Sequence, residues 1–158
     1  PNRVFLHSIP LAPSFVFGLE AELRRDWEVI AGDFLVPVGL RTLRRSSQGY
    51  CPSYFGDQET RDRAYHQGTV WPWLGGHAAM AHARLPGQRS QAVCPGLAGE
   101  MDSIIPGHLP ELADGDQPHR YRGAPAQAWS LACREEFRFR ERFELDSGLR
   151  SVLSFSGL

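Results

Sequence analysis

Two stretches, 36–68 and 103–124, keep neither a helical nor a strand period, yet both are dense in aromatic and charged residues. Connections longer than about 12–15 residues are uncommon in compact domains unless they are functional or disordered, and aromatic content argues against disorder. The rest of the chain must therefore pack so as to leave room for two long ordered loops. The chemistry is to be sought in those loops.

Around them the periodicity is helical. In 15–34, Phe17, Leu19, Leu23, Trp27, Ile30 and Phe34 recur at three- and four-residue steps among charges. A second helix is expected from about Thr69, with Pro72 tolerated in its first turn and Trp71, Leu74, Ala78 and Ala81 on one side. A third is expected from Pro125, carrying Ala128, Trp129, Leu131 and Ala132. No stretch sustains strand alternation, so the expected class is all-α. The segment 86–107 is broken by prolines and glycines, which argues against a long helix there.

A formal net charge of -1, with no basic stripe or acidic tail, gives no electrostatic case for nucleic acid or an anionic membrane. Cys51, Cys94 and Cys133 form neither a CxxC pair nor a disulfide ladder, and they read as reduced thiols of a cytoplasmic protein. The absence of an initial methionine suggests a piece of a longer polypeptide.

The first loop carries Tyr50, Tyr54, Tyr65, Trp71 and Trp73, whose faces suit the C–H side of sugar rings. Beside them, Arg41, Asp57, Arg61, Asp62, His66 and Gln67 offer hydrogen bonds to hydroxyls. The same tryptophans would equally serve as core, and Arg61 with Asp62 as a solvated pair. His66 has no partner at zinc-ligand spacing, so a hydrogen-bonding role is preferred over a metal ligand. The second loop sets Glu111, Asp114 and Asp116 close to His119, Arg120 and Arg122, where an acid or base can be tuned. Asp114-Gly115-Asp116 would also serve as a simple tight turn or a calcium turn, although the further oxygen ligands of an EF-hand loop are missing.

In order along the chain, "PNRVFLHSIP", "VPVGLRTL", "SYFGDQETRDRAYHQGTVWPW" and "PELADGDQPHRYRGAPAQAWS" resemble the C-terminal amylo-α-1,6-glucosidase module of glycogen debranching enzymes. The resemblance implies the C-terminal part of an (α/α)₆ toroid over 1–133, with 134–158 as a divergent or disordered tail. It implies inverting hydrolysis of α-1,6-linked glucose at branch points of glycogen or a related α-glucan, without cofactor or metal. Glu111 matches the family's catalytic base. Arg61, Asp62, Tyr65, His66, Gln67, Trp71, Trp73, Asp114, Asp116, His119, Arg120, Arg122 and Gln127 match the surroundings of its sugar pocket. The family's general acid lies in a Trp-Met-Asp segment, and this sequence contains none. A non-catalytic oligosaccharide-binding remnant, or a glucoamylase- or trehalase-like toroidal glycosidase, are the alternative readings. Leu112-Ala113 departs from the family's apolar-aromatic pair, and the charged run after Ala132 departs from its apolar last helix.

Overall fold

A computed structural model describes residues 1–8, 20–85, 93–98, 105–136 and 138. Helix α1 (Arg3–Ser8) packs beside α2 (Glu20–Val29), whose exit widens into a π-helical turn at Ile30–Phe34. Leu23, Ile30 and Phe34 are buried seven and four residues apart, with the partly buried Trp27 between the first two, as an amphipathic helix requires. Phe15, Phe17 and Leu19 of the expected helical run lie outside the described residues, as does Ser103 at the start of the second loop. Asp26 shares the buried face because it has partners there: Arg3 binds one carboxylate oxygen and His7 Nε2 lies 2.8 Å from the other.

A hairpin follows, β1 (Leu35–Val36) with β2 (Gly39–Arg41), turned through Pro37-Val38. Gly39 is required there: its φ is +143°, and a side chain would run into the Trp71 carbonyl. The short helix α3 (Gln58–Ala64), strand β3 (Val70–Trp71) and the central helix α4 (Pro72–Ala83) come next. Pro72 opens α4, where a missing N–H costs nothing. Sequence periodicity assigned α4 a single buried side, but Leu74, Gly75, Gly76 and 78–82 are all buried. Its small residues make this possible: Gly76 lies directly against Cys133, on the helix that spans 128–136, and leaves no space for a Cβ. Helix α5 (Pro95–Ala98) and strands β4 (Leu112–Ala113) and β5 (Tyr121–Arg122) complete the named elements.

The five strands form one antiparallel sheet in the order β1-β2-β3-β4-β5. That sheet overturns the expectation of an all-α chain built as part of an (α/α)₆ toroid. Its strands are two or three residues long, too short to display alternation in a sequence. The consequence for the site is direct. Arg41 pairs with Val70 and Val70 with Ala113, so β3 draws the two long loops together on either side of itself. Leu40, Trp71, Leu74, Leu109 and Leu112 seal the junction within the main core. Among the described residues, no helix is long and apolar enough to cross a membrane.

Candidate active site

The first loop reaches the site through a capped helix. Asp57 accepts the N–H of Thr60 at 2.9 Å and starts α3, which ends at Tyr65. The chain then turns back on itself. The Tyr65 carbonyl accepts from Thr69 Oγ1 at 2.8 Å and from Trp71 Nε1 at 3.2 Å, and Gly68, with φ +129°, slides under the Tyr50 ring. These bonds gather the rings into a wall. Tyr65 meets Trp71 edge-on at 4.9 Å and Tyr54 at 5.6 Å, while His66 stacks on Trp71 at 5.1 Å. Trp73 stacks on Phe5 at 5.5 Å. A cleft of about 420 Å³ opens here, lined in part by His66, Trp71, Trp73, Phe5, Asn2 and Thr42.

Glu111 enters from the second loop and is held on three sides. Its Oε1 accepts the Tyr65 hydroxyl, its Oε2 accepts the Ala124 N–H at 2.9 Å, and its own N–H donates to the Ala124 carbonyl at 2.9 Å. Gly123, with φ +69°, lies against the carboxylate, where a methyl would collide with Oε2. Partial burial, then the hydrogen bond to Glu111 and then its charge, push the Tyr65 phenol far above its usual range. Tyr65 therefore remains a donor throughout the neutral range.

The neighbouring carboxylates have different company. Asp114 accepts the Tyr54 N–H at 2.9 Å on Oδ1, and on Oδ2 the Nε and Nη2 of Arg122 at 3.1 and 3.0 Å. Asp116 takes the Arg45 guanidinium at 2.7 Å and the Tyr50 hydroxyl at 2.9 Å on a single oxygen. Burial works against the charge on Asp116, but Tyr50 and Arg45 outweigh it and hold the carboxyl below the ordinary range. The turn between them is anchored from the first loop: Arg41 Nε donates to the Gly115 carbonyl at 2.8 Å, and the Gly115 N–H donates to Pro52 O at 2.7 Å. With their oxygens engaged by arginines, these two carboxylates shape the loop rather than a cation site.

The structure thus brings His66, Trp71 and Trp73 onto the cleft lining, whereas Tyr65 and Glu111 are not part of it: Tyr65 packs on His66 and Trp71, and Glu111 is joined to that cluster through the Tyr65 hydroxyl. Other expected sugar contacts are engaged elsewhere. Arg61 and Asp62 are exposed on α3, with Arg61 donating to the Gly56 carbonyl. Gln67 is exposed in the turn, and its carbonyl accepts from Cys51. His119 faces inward, with Nδ1 3.0 Å from the Asp114 carbonyl. Arg120 is exposed, and it is its carbonyl that binds the Asp114 N–H at 2.9 Å. The Gln127 side chain accepts the Ala128 N–H at 3.1 Å at the start of the last helix. Sequence reasoning offered Asp57 and Arg41 to sugar hydroxyls; one caps a helix and the other anchors a turn. Arg45 and Gly123 were missed, since nothing in their local sequence marks a partner more than ten residues away.

Residues 9–135 match the family model described as amylo-alpha-1,6-glucosidase. The chain is also similar to the glycogen debranching enzyme of Saccharomyces cerevisiae, 32% identical over 132 residues. That match covers 67% of this chain and 8% of the yeast protein.

Proposed function

The chain belongs to the amylo-alpha-1,6-glucosidase family, and on that premise we propose that it supplies the water-activating half of a glucosidase site acting on α-1,6-linked glucose in a glycogen-type glucan. Glu111 is the base. The observation that carries this reading is the company its carboxylate keeps: a phenol and a peptide N–H, both neutral, beside an aromatic wall. Asp114 and Asp116 each have an oxygen occupied by an arginine, and Tyr50 and Arg45 hold the Asp116 carboxyl below the ordinary range, which makes it a poor proton acceptor.

In an inverting reaction one carboxylic acid protonates the leaving oxygen while a carboxylate on the opposite face removes a proton from water. The two groups stand about 6.5–9.5 Å apart to admit that water. Each Glu111 oxygen accepts one hydrogen bond here and retains a second lone pair for the water proton. The rings of His66, Trp71 and Trp73 form the wall against which a glucose ring packs. The general acid is assigned to another part of the full-length protein.

Glu111→Gln in that full-length protein tests the reading. The amide keeps size and shape but takes up no proton, so turnover should fall by about 10²-fold or more with glucan affinity little changed. Near-normal turnover in Glu111→Gln, with loss in Asp114→Asn or Asp116→Asn, would move the base to the turn.

A further inference from the structure

We infer that Tyr65 is a positioning residue, holding the Glu111 carboxylate through its hydroxyl in the one orientation from which it can activate water; this rests on Glu111 being the base. Three features converge on that orientation. The Tyr65 hydroxyl takes Oε1, the Ala124 N–H takes Oε2, and Gly123 leaves the space that the carboxylate fills. The phenol is itself fixed by its ring contacts to Tyr54, His66 and Trp71 and by the hydrogen bonds to its own carbonyl. A glutamate side chain has three rotatable torsions, and this clamp removes their freedom before substrate arrives. Tyr65 comes from the first loop and Glu111 from the second, so the bond also ties base placement to the packing of the two loops.

A residue that only lined the sugar pocket would use its ring and leave its hydroxyl to the ligand. The structure places the hydroxyl on the Glu111 carboxylate instead. Tyr65→Phe separates the two roles, because it keeps the ring and deletes the donor.

The experiment measures kcat and KM for branched glucan, with a thermal melt beside them, in the full-length enzyme and its Tyr65→Phe, Gly123→Ala and Glu111→Gln variants. In Tyr65→Phe, kcat should fall roughly 10- to 100-fold with KM unchanged, as expected of a misplaced group. Gly123→Ala, which crowds the same carboxylate from the opposite side, should show the same loss in kcat at constant KM. A higher KM with unchanged kcat in Tyr65→Phe would make the hydroxyl a sugar contact and overturn the inference. So would a fall in kcat that the thermal melt accounts for as loss of folded protein, since partial misfolding lowers turnover without misplacing a carboxylate. If Glu111→Gln turns over normally, the assignment of the base itself falls; if it is inactive while Tyr65→Phe is unaffected, only the positioning role falls.

Discussion

Arg122 shows what spacing along a chain can and cannot indicate. Arg122 lies close to the Asp-Gly-Asp turn in sequence, and it places Nε and Nη2 on Asp114. Its twin at 120 points to solvent, and the arginine that holds Asp116 is Arg45, far away in sequence. Spacing along the chain could suggest the first pair but not the second. The Arg122 guanidinium also lies 5.3 Å from the Phe55 ring centre, so it is packed as well as paired. Arg122→Lys keeps the charge but cannot put two parallel N–H groups on one oxygen. Turnover of the full-length enzyme is expected to fall by roughly 10-fold through loosening of the loop that carries Glu111. Unchanged turnover in a steady-state assay would show that Asp114 needs only the Tyr54 N–H.

Among the elements, helices were legible where their period ran for several turns, and the buried Leu23, Ile30 and Phe34 follow from it. Helix α3 was not, because its seven residues lie wholly inside a segment with no apolar stripe, and only Asp57 marks its start. The contact between α1 and α2 is likewise invisible to periodicity, since it turns on one buried carboxylate, Asp26, bound by His7 and by the exposed Arg3. Burial opposes the charge on Asp26, yet hydrogen bonds from His7 and Arg3 prevail and its carboxyl titrates below the ordinary value. A carboxyl whose folded value is depressed contributes stability that is fully present above its unfolded value and is lost as pH falls through the folded one. Stability should therefore decline as pH drops below about 4, the ordinary aspartate range. Asp26→Asn should lower the melting temperature at pH 7 and flatten its fall in acid. Calorimetry on both proteins between pH 3 and pH 7, settings chosen on the scale of ordinary carboxyl titration, checks the slope; parallel curves would remove Asp26 as the source.

For the molecule as a whole, the residues of the site were more legible than its scaffold. The motif around Tyr65 and Glu111 is dense in chemistry, whereas strands of two or three residues have no period to detect. What the sheet and turns achieve is the apposition of two loops, and Gly115 sits at its tightest point. Its N–H binds Pro52, its carbonyl binds Arg41, and a Cβ on it would collide with the Gly68 carbonyl and lie 3.0 Å from the Pro52 side chain. The obstacle is largely backbone, which cannot rotate away as a side chain can. Gly115→Ala must therefore push the loops apart, at a cost of about 1–3 kcal/mol as for other overpacked sites. That corresponds to roughly 2–12 °C in melting temperature for a domain of this size. Because separation also draws Tyr65 away from Glu111, turnover should fall further than the folded fraction does. Gly32→Ala is the matched control, since a Cβ there meets nothing within 4 Å, and its melting temperature should stay close to that of the parent. Equal behaviour of the two variants would mean that the loops do not meet at Gly115 in solution.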